Sequence, residues 1–309
     1  MTLPVDKTGT IVAAFGRHYE VAFPGEASLN CVPRGKKSLF ACGDHVKVLP
    51  TGPGEGVIVG HETRASLLYR SDEFREKLIA ANLTQVIVVV ATEPGFNPEL
   101  VTRCLIAAED QGLKALILLN KVDLIAHLDQ ARAQLECFRA AGYRVLEVSA
   151  FLDLASLAEA LSGERSILVG QSGMGKSSLI NVLVPEARAE TRAISLALDS
   201  GKHTTTYSRI YSLPGQGEIL DSPGLQVFGL AHVGAERLTA AFPEFREHLG
   251  TCRFRDCAHG EEPGCSLHMA MQQGGITTTR MEHYRRIRAE LTALPEWQRK
   301  SGKRSAPNF

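Results

Sequence analysis

The sequence lacks the features that mark membrane, exported and nucleic-acid-coating proteins. Its 34 Lys and Arg residues balance 34 Asp and Glu residues, so the formal net charge is +0 and a wholly basic coat for nucleic acid is excluded. The longest strongly apolar runs, such as 86–91, are far shorter than the roughly 20 residues that span a bilayer. The start, MTLPVDKTGT, lacks the charged segment and apolar core of an export signal. We therefore expect a cytoplasmic protein without a membrane partner.

Cysteine is scarce, with seven residues in a chain of 309, an odd number spread along the sequence. In a reducing compartment such residues are thiols or metal ligands and not a disulfide framework. Hydrophobic residues make up 44% of the chain and charged residues 22%, which is typical of globular proteins and excludes disorder throughout, collagen and coiled coil. The length exceeds one domain of roughly 100–200 residues, so we expect two or three domains.

Residues 1–64 are predicted to form a small β-barrel as the first domain. Short half-apolar runs occur at 10–14, 19–23 and 45–49, and turn-forming proline and glycine residues separate them. Several short strands in so short a segment favour a closed barrel over a helical or mixed domain.

Residues 65–230 alternate between strand and helix patterns. Runs of continuous apolar character are expected of strands buried on both faces, and they occur at 85–91, 115–121, 145–150 and 166–170. Helical patterns and two further strands complete the region, at 99–111, 128–141, 154–161, 208–213 and 218–220. This alternation predicts an α/β domain with a doubly wound sheet.

Residues 231–309 carry no further strand pattern, and we expect a mostly helical third domain. A helix is predicted over 235–249 and another along 281–294, where apolar residues recur at helical spacing. Between them lies a segment dense in cysteine and histidine, and the region ends in a basic tail.

A phosphate-binding loop follows the fourth apolar run and precedes a helical run that starts at Ser178. The pattern G-x-x-x-x-G-K-[ST] is matched by Gly170, Gln171, Ser172, Gly173, Met174, Gly175, Lys176 and Ser177. Glycines let successive N–H groups point at phosphate oxygens, and the helix N-terminus adds its positive end. Lys176 would bridge the outer phosphates, and the Ser177 hydroxyl would hold Mg²⁺. The alternative is a glycine-rich turn without a ligand.

A guanine-recognition motif stands at the end of the second apolar run, where ligands of open α/β sheets bind. It consists of Asn120, Lys121, Val122 and Asp123. A carboxylate there can accept hydrogen bonds from guanine N1–H and the exocyclic amine, whereas adenine would leave it unpaired. Ser149 and Ala150 end the third run, where the backbone can contact the base carbonyl. A solvated strand end is the alternative.

Two polar segments are candidates for sensing the γ-phosphate. Asp221 ends a strand in the sequence Asp-Ser-Pro-Gly, where its carboxylate would hold the Mg²⁺ water shell and Gly224 would offer its N–H to the phosphate. The loop 201–206 supplies three threonines, Thr204, Thr205 and Thr206, and one of them would complete the Mg²⁺ shell when the γ-phosphate is present. Thr205 is also expected to contact GTP. A threonine-rich turn entering a strand is the alternative.

Three cysteines and a histidine lie within 14 residues, in the order Cys252, Cys257, His259 and Cys265. Three thiolates and one imidazole form a complete tetrahedral ligand set for structural Zn²⁺, with no position left open for catalysis. Metal binding would supply folding energy in a region with few apolar residues. His268 falls outside the spacing, and the four other cysteines are expected to pack and not to react. Scattered core thiols are the alternative.

Basic residues cluster at two places where RNA could bind. Residues 280–309 hold eight Arg and Lys residues against three Glu residues, a local charge of +5 in a neutral chain. The predicted barrel carries Arg34, Lys36 and Lys37 in one loop and Arg17 beside an aromatic residue. Basic side chains neutralise phosphates, and small barrels bind oligonucleotides through their loops. A solvated charged surface is the alternative at each place.

The order of the motifs along the chain is unusual. Conventional GTPases run from the phosphate loop through the switches to the base motif, whereas here 120–123 precedes 170–177, and 221–224 follows both. The set resembles a circularly permuted GTPase. With a barrel before it and a Cys/His element after it, the whole chain resembles the ribosome small-subunit-dependent GTPase A family (RsgA/YjeQ). The resemblance implies an OB-fold barrel, rRNA as partner, Mg²⁺ with GTP and one structural Zn²⁺; we also expect a monomer.

The resemblance also implies the function: a GTP hydrolase that acts in late maturation of the small (30S) ribosomal subunit, binds rRNA and is stimulated by the subunit. In this family a histidine of the G-x-H-T-T-T loop is assigned to orienting the attacking water, and His203 occupies the matching position. Leu225 stands where many GTPases have a water-orienting glutamine. That leucine favours the alternative, a nucleotide-regulated RNA-binding scaffold with negligible hydrolysis. A metal-delivery GTPase is disfavoured by the closed four-ligand set.

Overall fold

The computed structural model of the protein describes residues 6–35, 40–71, 76–185, 187, 207–222 and 230–294. These residues form a five-stranded barrel, a six-stranded sheet with interleaved helices, and a C-terminal group of helices, in that order along the chain. Within the described part, none of the helices combines the length and the apolar character that a bilayer crossing requires.

The barrel closes because its first strand pairs with both its second and its fourth strand. The strands are β1 (Lys7–Phe15), β2 (His18–Phe23), β3 (Glu26–Pro33), β4 (His45–Gly52) and β5 (Glu55–His61). Around the barrel they run β1-β2-β3-β5-β4. Ile11, Val21 and Val48 are fully buried and form part of a separate barrel core. The predicted small barrel is therefore confirmed, although the sequence pattern did not indicate β3 or β5.

A hairpin that the sequence analysis did not predict follows the barrel. It consists of β6 (Leu67–Ser71) and β7 (Glu76–Ala81). Its second strand contacts the barrel through a bridge between Ala80 and Cys42. Close by, the fully buried carboxylate of Asp44 accepts hydrogen bonds from Arg64 at 2.6 and 2.7 Å. These contacts fix the hairpin and the barrel to one another.

The central sheet confirms the predicted doubly wound α/β domain. Its strands are β8 (Gln85–Ala91), β9 (Lys114–Asn120), β10 (Arg144–Glu147), β11 (Arg165–Val169), β12 (Tyr207–Ser212) and β13 (Glu218–Asp221). In space they run β10-β9-β8-β11-β13-β12, and only β12 is antiparallel to its neighbour β13. Every residue of β8 is buried, as the continuous apolar character of a central strand predicts. The helices between the strands are α1 (Pro98–Asp110), α2 (Leu128–Ala140), α3 (Ala155–Leu161) and α4 (Lys176–Leu183).

The C-terminal region consists of α5 (Ala235–Ala240), a 3-10 helix (Pro243–His248), α6 (Ser266–Gln272) and α7 (Thr278–Ala293). The prediction of one helix over 235–249 is wrong, because α5 ends at Ala240. Pro243 has no N–H and disfavours helical backbone at the residue before it, and Phe242 is extended. The predicted helix along 281–294 is confirmed by α7, and α6 was not predicted.

Helix α7 is held to the central domain by a buried arginine. Arg280 is 1% exposed, and its Nε donates to Glu244 Oε1 at 2.6 Å. Its Nη1 donates to Thr102 Oγ1 of α1 at 3.2 Å. The guanidinium also lies over the ring of Phe242, 4.4 Å from its centroid. A buried charge needs such partners, so this contact fixes the C-terminal helices against α1.

Candidate nucleotide site and metal centre

The phosphate-binding loop joins β11 to α4, as its sequence predicts. Gly170 has φ +141°, and a Cβ there would lie 2.2 Å from the carbonyl oxygen of Val89 on the neighbouring strand β8. Only glycine can bring the backbone this close to the next strand. The chain therefore turns immediately after Val169 and presents the loop at the carboxyl edge of the sheet.

The base-recognition motif contacts this loop directly. Asn120 ends β9, is 1% exposed, and donates from Nδ2 to the carbonyl oxygen of Met174 at 2.9 Å. Gly175 has φ +88°, and a Cβ on it would lie 2.3 Å from Asn120 Nδ2. The two stretches that the sequence assigned to one nucleotide therefore meet, although 54 positions separate Asn120 from Met174.

The rest of the base motif leads from the buried strand end into an open loop. Lys121 has φ +61°, and its Nζ donates to the carbonyl oxygen of Glu93 at 2.7 Å. Val122 is half-buried, and its N–H donates to the carbonyl oxygen of Val148 at 3.3 Å. Asp123 is exposed, so its carboxylate is available to a ligand at this edge.

Ser149 and Ala150 lie beside the base motif because β10 is the neighbour of β9. Ser149 is buried, and its Oγ accepts the N–H of Phe151 at 3.2 Å. Ala150 is half-buried. The loop after β10 is thus held by its own serine next to the predicted base pocket.

Lys176 and Asp221 supply opposite charges at the phosphate loop. Lys176 Nζ donates to the carbonyl oxygens of Gly170 and Gln171 at 2.6 and 2.7 Å. Burial lowers the pKa of Lys176, and the charge of Asp221 opposes that shift. Burial likewise raises the pKa of Asp221, and the charge of Lys176 opposes it. Each group thus favours the charged form of the other in a partly desolvated site.

The remaining residues of the loop lie at or before the start of α4. Ser177 and Ser178 stand exposed in the first turn of α4, where N–H groups and the helix dipole favour anions. Ser172 and Gly173 are exposed on the loop.

The predicted switch residues are only partly within the described chain. Asp221 ends β13, and the neighbouring Ser222 Oγ accepts a hydrogen bond from Ser208 Oγ at 3.1 Å. Strand β12 begins directly after the threonine-rich segment. His203, Thr205, Gly224 and Leu225 lie outside the described residues.

Residues that follow β8 contribute to the site, and the sequence analysis missed them. Thr92 Oγ1 donates to the carbonyl oxygen of Lys121 at 2.9 Å, and Gln171 Oε1 accepts the N–H of Asn97 at 2.8 Å. A cavity of about 250 Å³ opens between this segment and α2. The apolar run of β8 could have indicated these residues. The carboxyl ends of neighbouring parallel strands lie at the same edge of the sheet, so the residues after β8 are expected near the loops after β9 and β11.

The predicted metal ligands form a cluster. One ligand atom from each of Cys252, Cys257, His259 and Cys265 lies within 4.8 Å of the others. The imidazole Nδ1 faces the sulfurs, at 3.5 Å from Cys252 Sγ and 3.6 Å from Cys265 Sγ. His268 is not part of this cluster. Three sulfurs and one imidazole nitrogen suit tetrahedral Zn²⁺, so the residues present fit that ion.

The loop that carries His259 is shaped by its own carboxylate. Glu262 accepts the N–H groups of Ala258 and Gly260, at 2.9 and 2.7 Å. A hydrogen bond from its own backbone N–H, followed by these two bonds, lowers the pKa of Glu262. His259 adopts φ +58° within this turn. The histidine is therefore oriented by backbone contacts next to the cysteines.

The four other cysteines lie away from the cluster and are buried or half-buried. Cys31, Cys42 and Cys104 are buried, and burial raises their pKa to about 11, about 12 and about 12. Burial also raises the pKa of the half-buried Cys137. A thiol that stays protonated is a poor nucleophile, which agrees with the predicted packing role.

The basic surface near the C-terminus differs from its prediction. Arg280 is buried and ion-paired, so it does not belong to an outer basic face. Arg285 is half-buried and donates to the carbonyl oxygen of Gly260 at 2.8 Å. Arg286 is exposed beside Glu99, at 3.3 Å. The basic residues after 294, and Lys36 and Lys37 of the barrel, lie outside the described residues, while Arg17 and Arg34 are exposed.

A phosphate-binding loop in contact with a base-recognition motif, at the carboxyl edge of a doubly wound sheet, defines a P-loop protein of the GTPase type. Its motifs occur in circularly permuted order along the chain. The family model of the RsgA GTPase matches residues 61–231. The chain belongs to the RsgA GTPase family and is a GTPase.

Relatives extend the similarity over more than nine-tenths of the chain. The small ribosomal subunit biogenesis GTPase RsgA of Nitrosomonas europaea is 48% identical over 293 residues, covering 94% of this chain and 93% of that protein. The protein of the same name from Burkholderia pseudomallei is 51% identical over 291 residues, covering 93% of each.

Two solved structures share the fold. YjeQ from Thermotoga maritima is similar with a TM-score of 0.74 and 28% identity, covering 94% of this chain and 100% of that one. YloQ, described as a circularly permuted GTPase, has a TM-score of 0.70 and 25% identity, covering 94% of this chain and 96% of that one.

Proposed function

We propose that this GTPase acts in late maturation of the small (30S) ribosomal subunit, binds rRNA, and is stimulated by the subunit. The contact between Asn120 and Met174, which brings the guanine-recognition motif to the phosphate-binding loop, supports the GTPase part of the proposal, and the similarity to named relatives supports its ribosomal part. Family members that match this chain over more than nine-tenths of their length are named for biogenesis of the small ribosomal subunit.

Guanine selection is assigned to the loops after β9 and β10. The exposed carboxylate of Asp123 would accept hydrogen bonds from N1–H and the exocyclic amine, and Asn120 would brace the loop against Met174. Lys121 and Val122 would line the base, with Ser149 and Ala150 contacting its carbonyl through the backbone.

Hydrolysis is phosphoryl transfer to water, so the protein's groups position and stabilise and do not form a covalent intermediate. Backbone N–H groups of 170–178 and the Lys176 ammonium would neutralise the phosphates. Ser177 and Asp221 would hold Mg²⁺, which supplies further charge neutralisation when bound. Thr205 and Gly224 would respond to the γ-phosphate, and His203 would orient the attacking water.

The Cys/His cluster is assigned one structural Zn²⁺. Its four ligands would close the coordination shell, so the ion would fix the turn between the 3-10 helix and α6 and take no part in hydrolysis. The carboxylate of Glu262 supports this turn from outside the ligand set.

The remaining assignments concern partners and organisation. Exposed Arg17 and Arg34 of the barrel are candidate phosphate contacts for rRNA.

We propose domain boundaries after residues 64 and 230, a monomeric state and a cytoplasmic location. Close packing of α7 on α1 would make the central and C-terminal domains move together.

Phosphate release from GTP tests the proposal. We expect slow turnover by the free protein and at least tenfold faster turnover with saturating small subunits, while large subunits have no effect. A matched Lys176→Ala variant should lose both rates. Equal rates with and without small subunits would support the RNA-binding scaffold over the subunit-stimulated hydrolase.

A further inference from the structure

The barrel and the phosphate site share one strand, β12. This strand pairs on one edge with β1 and on the other with β13. Arg209 lies opposite Ala13 of the barrel and also opposite Asp221, the proposed Mg²⁺ ligand. A single strand therefore separates the barrel from the phosphate site. The same strand starts at Tyr207, directly after the threonine-rich segment 201–206.

Two barrel side chains reinforce this pairing. Glu20 of β2 accepts a hydrogen bond from Arg209 Nη1 at 2.9 Å, and both side chains are largely buried. Phe15 at the end of β1 contacts Tyr207, with 5.1 Å between the ring centroids. Among the described residues, the backbone register between β1 and β12 covers three residue pairs, and these two side-chain contacts add to it.

Ser208, the second residue of β12, has contacts on both sides of the strand. Cys42 Sγ of the barrel lies 3.8 Å from the carbonyl oxygen of Ser208 and has a nearer acceptor in the carbonyl oxygen of Val12, at 3.3 Å. On the other side, Ser208 Oγ donates to Ser222 Oγ at 3.1 Å. Ser222 directly follows Asp221. A continuous row of contacts thus runs from the barrel through β12 to the segment that ends in the phosphate site.

We propose that Phe15 and Glu20 are positioning residues for the subunit-stimulated part of GTP hydrolysis only: they hold β12 against the barrel, so that engagement of the barrel is transmitted to the phosphate site. The inference rests on the proposed function, since the barrel's ligand is taken to be rRNA. The exposed Arg17 stands in the turn that leaves β1, two residues after Phe15. A phosphate bound there would act on the end of β1 that faces Tyr207.

Coupling of this kind is reciprocal. If bound γ-phosphate changes the affinity of the barrel for RNA, then bound RNA must change the affinity of the nucleotide site for the γ-phosphate form by the same factor. Contiguous contacts alone do not demonstrate coupling, so the test must measure the response at one end to a change at the other.

The first test needs no ribosome. Amide hydrogen exchange of the full chain is compared with bound GDP and with a non-hydrolysable GTP analogue, in peptides that cover β1 and β12. We expect exchange in β1 to differ by at least about threefold between the nucleotides. The difference should vanish in the double variant Phe15→Ala/Glu20→Gln and remain in Glu26→Gln, which removes the Lys7 ion pair elsewhere on the barrel. Equal exchange of β1 in both nucleotide states of the wild type overturns the proposal.

The second test uses hydrolysis with purified small subunits. In the double variant we expect GDP affinity and unstimulated turnover within about twofold of the wild type, because these do not need the barrel's ligand, and stimulated turnover at least about fivefold lower. Full stimulation, a similar loss in Glu26→Gln, or a loss of GDP affinity overturns the proposal. Absence of stimulation in the wild type would instead refute the proposed function, and the exchange experiment would still decide this inference.

Discussion

The side-chain amide of Asn120 donates a hydrogen bond to the carbonyl oxygen of Met174, and this bond joins the guanine motif to the phosphate loop. The two residues lie 54 positions apart. Asn120 is the last residue of β9, and Met174 lies in the loop that follows β11. Their strands are both neighbours of β8, so the sheet order brings the motifs together although their order along the chain is reversed from that of a conventional GTPase. A permuted chain can assemble the same edge because the same strands are adjacent.

Replacing Gly175 with alanine should weaken nucleotide binding. The residue has φ +88°, where an L side chain is strained, and an added Cβ would lie 2.3 Å from Asn120 Nδ2, so the Asn120 side chain must move from its present position against the loop. We expect GDP affinity to fall at least tenfold in a calorimetric titration, since about 1.4 kcal/mol corresponds to a factor of ten.

Gly112→Ala is the matched control. Gly112 also has a positive φ, +64°, but no atom lies within 4 Å of an added Cβ. We expect Gly112→Ala to lower the free energy of unfolding by about 1–2 kcal/mol through backbone strain and to leave GDP affinity unchanged. Equal GDP affinity in Gly175→Ala and Gly112→Ala would contradict the contact between loop and motif.

Arg280→Ala should lower the free energy of unfolding by about 3–5 kcal/mol, because it leaves Glu244 buried without its charge partner. Arg286→Ala, on the same helix, should cost less than about 1 kcal/mol, since its side chain is 62% exposed. Urea denaturation of both variants measures the difference. Similar losses would mean that the Arg280 contact does not anchor α7.

Acid should destabilise the interface between α7 and α1. Burial, with the nearby charge of Arg280, lowers the pKa of His283 to about 4, and its Nδ1 lies 2.8 Å from Thr102 Oγ1. The unfolded chain takes up this proton near pH 6.5, whereas the folded chain does so only near its lowered pKa. The stabilisation is therefore present above about pH 6.5 and is lost as the pH falls toward 4.

We expect the wild type to lose about 2 kcal/mol more stability than His283→Gln when the pH falls from 7 to 5. Urea denaturation of both proteins at a series of pH values measures this difference in the free energy of unfolding. Because the two proteins share all other titrating groups, the difference reports His283 alone. Parallel pH dependences in the two proteins would show that His283 is not buried in its neutral form.

Metal analysis should find one equivalent of zinc per chain. The ion should survive dialysis against a mild chelator, because four protein ligands close its shell. Cys257→Ser should lose the zinc and lower the melting temperature, whereas His268→Ala, outside the cluster, should keep both. Exchange of the zinc in a mild chelator would favour a labile, delivery-type site.

Local pattern was sufficient to predict those parts of the fold whose signal lies in a short segment. The all-apolar run of β8, the phosphate loop before Ser178 and the Cys/His segment each occupy a short stretch of sequence. The structure forms β8 as a buried strand, places the loop before α4 and brings the four Cys and His ligand atoms together. The buried contact of Asn120 follows from strand adjacency that the alternation of elements already implied.

Long-range packing decided what the sequence analysis missed. Arg280 looks like a surface residue among other arginines, and only the carboxylate of Glu244, from another element, makes its burial tolerable. The pairing of β1 with β12 joins residues almost two hundred positions apart, which no local pattern encodes. Strand β3 and the hairpin of β6 and β7 were not predicted because apolar and polar residues alternate only weakly along them. Contacts with neighbouring strands, and not the local sequence, select the strand conformation there.

The most direct test of the account is a calorimetric titration of the full chain with GDP and with ADP, in the presence of Mg²⁺. If Asp123 and the phosphate loop enclose one guanine nucleotide, GDP should bind at least a hundredfold more tightly than ADP, and Asp123→Asn should abolish that preference. Equally tight binding of ADP and GDP by the wild type would contradict it.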